Sequence, residues 1–300
     1  MARKNTPSHK RIASPPPFRL TERDQGVIQS VHTHRVLTSQ QIEVLHFSSN
    51  SRETRTLRSV TQRRLQGLFH HGYLDRIQRP VVLGEGRNAF AYALDRRGAD
   101  LIASMQDVDR ATVGWRPKDN RFGPTFLDHL ININSVRVVT QLLRHSDAFS
   151  RVEWIDELVL KSGAYQDKMP TYRRSGTPTR IFPDGFCAIW TLERQQPASF
   201  FLEVDQGTMQ NALWANKIEA YRTFRDSGLS YRHFATKHFR VLAVVNSERR
   251  LQNLKRTTEK AGGTPFVWFT TIDQIDIWRP DNFLTEIWHV AGHEDVQALL

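Results

Sequence analysis

One cysteine in 300 residues, Cys187, excludes an intrachain disulfide and a thiolate zinc site, so stability must come from packing and the composition suits a reducing compartment. Long apolar runs are missing too. None approaches the roughly 18 residues that a membrane helix needs, and the opening MARKNTPSHKRIASPPP holds no apolar stretch able to act as a signal peptide. These absences predict a soluble, cytoplasmic protein with no membrane partner. Internal repeats, a serine nucleophile elbow and a phosphate-binding P-loop are also lacking, which removes several enzyme classes at once.

What is present is enough apolar material, 39% of the chain, for a real core and two modest domains. The net charge of +11 is unevenly spread: residues 1–100 hold 17 basic and 8 acidic side chains (+9), residues 101–200 hold 13 and 11 (+2), and residues 201–300 hold 12 of each. A basic first third points to a module that meets a polyanion, with simple solubilisation as the plainer alternative.

Residues 1–20 carry basic side chains and the Pro15-Pro16-Pro17 run without a hydrophobic period, and read as a disordered basic arm. Thr21 and Asp24 form a capping pattern ahead of Val27, Ile28 and Val31, and a second helix starts near Thr38. A third, from Ser51 to His71, puts Leu57, Val60, Leu65, Leu68 and Phe69 on one face and Arg52, Arg55, Ser59, Gln62 and Arg63 on the other. The runs YLDRI and AFAYAL around GEGRN read as a β-hairpin, and GEGRNA as its turn rather than a dinucleotide fingerprint. Together these elements predict a winged helix-turn-helix over residues 21–103 bound to double-stranded DNA. Its third helix would face base edges and Arg87 at the wing tip a phosphate.

Residues 104–124 are polar and rich in breakers, and read as a linker; residues 125–300 follow as a second domain. Its predicted order is a helix (125–145), a strand (151–155), a long loop (161–180), the strands IFPDGFCAIW and SFFLEVD, a helix (211–224), a strand (239–245), a helix (248–260) and a strand (265–270). An α/β (α+β) domain with a mixed sheet is implied.

Asp184 opens one of these strands, and Glu203 and Asp205 close the next. Side chains alternate along a strand, so Glu203 and Asp205 share a face that Asp184 can reach from its neighbour. Three converging carboxylates suit a hard divalent ion, Mg²⁺ or Mn²⁺; the alternative is an acidic strand end with turn glycines. Lys217, with Tyr221 one helical turn on, could balance these acids or serve an attacking water, or could be a surface residue. His289 and His293 have the spacing of zinc ligands on a helix, but Gly292 between them weakens that reading.

The stretches RRLQGLFHHGYLDR, YALDRRGADLI, HLININSV, PDGF, FFLEVDQGT, KIEAY and FRVLAVVNSERRLQNL occur in an order that resembles the replication-relaxation family of plasmids and integrated mobile elements, over roughly residues 22–260. The resemblance implies a winged helix joined to a domain like the PD-(D/E)XK nucleases, whose core has the order αβββαβ. It carries over Asp184 and Glu203 as metal-binding catalytic acids, and Lys217 as the catalytic lysine relocated to the following helix. Asp205 stands where that superfamily's lysine would be, so Asp205 as a third metal ligand comes from strand geometry alone. His129, near the start of the domain's first helix, is a further pocket candidate. The implied function is a mobile-element DNA-binding protein with a metal-dependent endonuclease domain; the alternatives are a non-catalytic binding or dimerisation platform and a ligand-sensing repressor. Other replication or mobilisation proteins and a second copy of the chain are the partners such a setting implies.

Overall fold

The computed structural model describes residues 10–48, 54–78, 90–165, 168–174, 177–193, 196–236 and 238–300. The fold is mixed α/β, and the chain divides into two compact units, residues 1–134 and 135–300.

In the first unit, α1 (Glu22–His34) begins at the predicted cap: Thr21 and Asp24 exchange hydrogen bonds between side chains and backbone. β1 (Val36–Thr38) follows at once, too short to show an alternation in the sequence, and Thr38 then caps α2 (Ser39–His46) in the same reciprocal manner with Gln41. α3 (Thr54–His70) ends before Gly72, whose φ of 73° is the left-handed conformation that glycine adopts without strain. β2 (Leu74–Ile77) and β3 (Ala91–Leu94) pair antiparallel in register from Leu74↔Leu94 to Ile77↔Ala91, and β3 also pairs with β1, giving the order β1-β3-β2. Val27, Ile28, Val31, Ile42, Leu65, Leu68 and Leu74 are fully buried between these elements.

α4 (Arg96–Gln106), absent from the sequence reading, is capped by Asp95 and packs so closely that a Cβ on Gly98 would lie 2.1 Å from the Tyr73 carbonyl oxygen. Residues 110–113 and 117–120 form 3-10 turns. Here the segment read as a linker, 104–124, is fastened down: Asn120 donates to the Leu94 carbonyl at 2.9 Å and to Asp75 at 3.2 Å, and accepts from the Trp115 indole at 3.0 Å. α5 (Pro124–Leu143) runs through the boundary between the units. In its first half, the Ile131 carbonyl accepts from Gln41 at 3.0 Å and the Asn134 amide donates to the carbonyls of His34 and Val36.

The arm read as disordered is packed from residue 10 onward. Arg11 donates to the Phe69 carbonyl at 2.7 Å, to the Leu74 carbonyl at 3.2 Å and to Asp95 at 2.5 Å, while Phe18 stacks on His71 and under the Arg64 guanidinium. One arginine reaching the carbonyls of Phe69 in α3 and Leu74 in β2, with one aromatic ring, anchors this segment, and neither leaves a periodic signature.

The second unit takes the rest of α5, then β4 (Phe149–Asp156), α6 (Glu157–Leu160), β5 (Thr171–Arg174), β6 (Thr177–Arg180), β7 (Gly185–Thr191), β8 (Ala198–Asp205), α7 (Asn211–Asp226), α8 (Leu229–Phe234), β9 (Phe239–Val245), α9 (Glu248–Lys260), β10 (Val267–Thr271), β11 (Trp288–Val290) and β12 (Val296–Gln297). The predicted long loop at 161–180 therefore contains a hairpin, β5 with β6, whose sequences TYRR and TPTR show no apolar alternation. The main sheet has the order β12-β11-β10-β9-β8-β7-β4. β4, β7 and β8 form an antiparallel meander; β8, β9 and β10 run parallel through crossover helices α7 and α9. Helix-covered parallel strands are buried on both faces, which is why FRVLAVV reads as a continuous apolar run. Phe201 of β8 is the hub of the core, in ring contact with Phe186, Tyr221, Phe224, Phe234 and Phe239.

Asp24 ties α1 to α3 in the first unit. Its side chain is 1% exposed and accepts from Arg64 Nε at 3.0 Å and from the Thr21 amide and hydroxyl at 2.8 and 2.7 Å. Burial opposes its charge, but the hydrogen bonds from Arg64 and Thr21 outweigh it and hold its pKa below the ordinary 3.8. Its stabilisation is thus present above pH 3.8 and lost as pH falls through the lowered pKa. Asp24→Asn should cost about 2 kcal/mol at pH 7, and urea melts of the two proteins should converge in strong acid.

Candidate functional site

The C-terminal end of β8 gathers the buried acids of the second unit, Asp184, Glu203 and Asp205. Glu203 and Asp205 are 3% and 4% exposed, and as alternate residues they share a face of the strand. Asp184, just before β7, is pinned to β8 twice: its amide donates to the Leu202 carbonyl at 2.9 Å, and its carboxylate accepts from the Val204 amide at 2.6 Å. Gly185 beside it lies so close to the Trp154 ring, 2.4 Å from a notional Cβ, that only glycine can start β7 there.

α7 covers this end of the strand. Lys217 and Tyr221, one turn apart, both point at Glu203: Lys217 Nζ donates to Oε2 at 2.5 Å, and the Tyr221 hydroxyl donates to Oε1 at 2.7 Å. Burial pushes the Glu203 carboxyl above its ordinary range; the Lys217 charge pulls the other way and Asp184 adds to the rise. Burial also works against the Lys217 ammonium, but Glu203, then Asp184 and Asp205, more than offset it, and its pKa is raised. Lys217 is therefore a firmly held cation. Tyr221, fully buried against the same acid, is pushed well above its ordinary value and keeps its proton.

Asp205 is placed differently from the reading of three converging ligands. Its carboxylate accepts from Arg250 Nε at 2.5 Å and from the Gly207 amide at 3.1 Å, and Arg250 also donates to the Met209 carbonyl at 2.6 Å and to Asn211 at 3.2 Å. A guanidinium thus satisfies the acid for which a metal was expected. Arg250 was missed by sequence reasoning, although the parallel pairing could have found it: β8 and β9 end side by side, with Asp205 opposite Val245, and Arg250 lies in the first turn of the helix that follows β9. The structure brings Asp184, Glu203 and Lys217 together and gives Asp205 to Arg250. Among the described residues, no three His, Cys, Asp or Glu side chains form a group that could hold a metal ion. Asp184 and Glu203 remain as the carboxylates that could hold a cation such as Mg²⁺, which keeps most of its waters.

The other candidates are scattered. Ser59, Gln62 and Arg63 are exposed on α3; Arg52, Arg87 and the side chain of Arg55 lie outside the described residues. His129 sits half-buried in the first half of α5. His289 belongs to β11 and His293 follows the turn at Gly292, so the two do not share a helix. Cys187 is buried in β7 and its thiol is pushed up to about 12 by desolvation. No helix among the described residues is long and apolar enough to cross a membrane.

A mixed α/β protein with a buried acid–lysine cluster where an antiparallel meander meets a parallel crossover is the class that fold and site define. The chain belongs to the replication-relaxation family, whose sequence profile matches residues 28–242. That membership supports a role in replication or relaxation of plasmid or mobile-element DNA. No curated protein and no solved structure matches the chain.

The Asp205–Arg250 pair is 3% and 13% exposed at its side chains, so removing one partner strands a buried charge. Arg250→Ala should cost about 3 kcal/mol, and Asp205→Asn in the same chain should recover part of that loss. A double-mutant cycle of urea melts measures the coupling.

Proposed function

We propose that the protein binds DNA of a mobile element through its first unit and acts on it through a PD-(D/E)XK-like second unit that hydrolyses phosphodiester bonds with Mg²⁺ or Mn²⁺. The observation that carries the catalytic part is Lys217 Nζ lying 2.5 Å from Glu203, with Asp184 close enough to perturb both groups. The order α5, β4, β7, β8, α7, β9, with β8 and β9 parallel, agrees with the αβββαβ core of that superfamily.

For the first unit, three helices followed by a hairpin in the sheet order β1-β3-β2 support a winged helix-turn-helix. Exposed Arg58, Ser59, Gln62 and Arg63 give α3 the donors that base edges and phosphates accept, and the +9 charge of residues 1–100 supplies attraction to the backbone.

At the site, Asp184 and Glu203 would hold the ion. When bound, such an ion lowers the pKa of water and stabilises charge on a phosphoryl oxygen. Lys217 holds its proton at Nζ and faces the developing negative charge; Tyr221, always protonated, fixes the orientation of Glu203. Arg250 keeps Asp205 from competing for the cation.

A second reading is favoured by a specific observation: both Glu203 oxygens already have donors, Lys217 and Tyr221, a closed arrangement that suits a non-catalytic platform for DNA or for a second copy of the chain. Nicking of supercoiled DNA separates the two. The nuclease reading expects cleavage that needs Mg²⁺ or Mn²⁺, is lost in Asp184→Ala and Glu203→Ala, and falls by about a hundredfold or more in Lys217→Ala. Failure of the wild-type chain to nick any DNA or to bind Mn²⁺ in calorimetry would leave the platform.

Duplex binding by the full chain should weaken steeply between about 50 and 200 mM salt. Arg63→Ala should relax discrimination between sites by about 1–3 kcal/mol per contacted base pair, and Arg87→Ala should weaken all sites alike. Competition binding with a randomised duplex library reads both effects.

A further inference from the structure

The end of the sheet opposite the carboxylates holds a second feature. β8 runs from Ala198 to Asp205, so Ser199 lies four residues, about 13 Å, from Glu203 along the strand. There the starts of β8 and β9 and the end of α7 enclose a cleft of about 320 Å³, lined among others by Ser199, Arg225, His238, Arg240, Pro265 and Phe266. Among the described residues, no Asp or Glu lines it.

The two arginines lie on opposite faces of the sheet, since Arg240 pairs with Phe200 whereas Ser199 pairs with Phe239 on the face that α7 covers. The Arg240 guanidinium is held away from the cleft, donating to the Leu299 carbonyl at 2.6 Å and lying 4.3 Å over the Trp268 ring, whereas Arg225 lies 4.3 Å over Phe266 and pairs with the 60% exposed Asp226 at 3.3 Å. Arg225, held on Phe266, costs less ordering on binding than a free cation, and the planar fork of arginine matches phosphate oxygens. Ser199 adds an independent sign. It is 2% exposed, and its hydroxyl has no hydrogen-bond partner among the described residues. A buried hydroxyl left unpaired is unfavourable, and a ligand oxygen in the cleft would satisfy it. Pro265 and Phe266 supply an apolar wall beside this polar end, and the volume lies in the range of small-ligand pockets.

We propose that this cleft binds a phosphomonoester of nucleoside monophosphate size, its phosphate on Arg225 and within reach of the Ser199 hydroxyl, its base against Pro265 and Phe266. The cleft shares no residue with the carboxylate cluster, so the proposal stands or falls apart from the nuclease reading.

Calorimetric titration of the full chain with dAMP, deoxyadenosine and inorganic phosphate tests it. dAMP should bind more tightly than either of the other two, because only dAMP engages both Arg225 and the apolar wall. Arg225→Gln should weaken dAMP binding about tenfold or more, the loss expected for a charge-assisted contact. Ser199→Ala should weaken it several-fold while leaving the thermal melt unchanged or slightly higher, since the unpaired hydroxyl contributes nothing to the unliganded fold. If Arg225→Gln melts early, the Ser199→Ala comparison decides. The proposal is overturned if dAMP gives no binding up to about 10 mM, if dAMP and deoxyadenosine bind equally, or if Ser199→Ala binds as wild type. Binding of a single-stranded oligonucleotide that depends on Arg225, without any binding of dAMP, would overturn it as well and make the cleft a DNA contact.

Discussion

Glu203 is a carboxylate almost without water, and the arrangement around it follows from the need to satisfy that charge. A buried acid either takes up a proton or finds donors. Here both oxygens find them on one helix, Lys217 and Tyr221, so the same two bonds that keep the acid tolerable also fix the rotation of α7 over β8. The helix therefore cannot turn about its axis without stranding a charge. The aromatic cluster around Phe201 lies under the same helix two residues earlier on the strand, and packing and electrostatics set one orientation between them.

The fold was legible wherever burial imposed a period. The strands at 198–205 and 239–245 and the helices at 211–226 and 248–260 stand out in the sequence because each is covered by its neighbours and must be apolar on the covered face. Elements held by a few polar contacts stayed hidden: β1 has three residues, the β5–β6 hairpin is polar, and the segment from Arg11 to Phe18 is anchored by carbonyls that no pattern of side chains reveals. The candidate site was legible for the same reason as the strands, since Glu203 and Asp205 alternate on β8 and Lys217 follows on the covering helix. The division of labour between the two acids was not, because Arg250 comes from 45 residues further along the chain and depends on which strands end side by side.

The two charged pairs at this end of the sheet have different consequences. Glu203 with Lys217 joins a strand to the helix above it, whereas Asp205 with Arg250 joins the end of β8 to the start of α9 and, through Met209 and Asn211, to the loop leading into α7. The second is a clasp on three segments, which keeps the loop 206–210 close to the sheet.

Cys187 is the quietest residue of the sheet, but its quietness is useful to the experimenter. With the chain's one thiol enclosed in β7 and pushed up to about 12, the reactive thiolate is scarcely populated near neutral pH. The natural sequence is in effect a blank background for thiol chemistry. A fluorophore or spin label attached through a single cysteine introduced at exposed Gln62 would report from α3 alone, without first stripping the protein of competing sulfur.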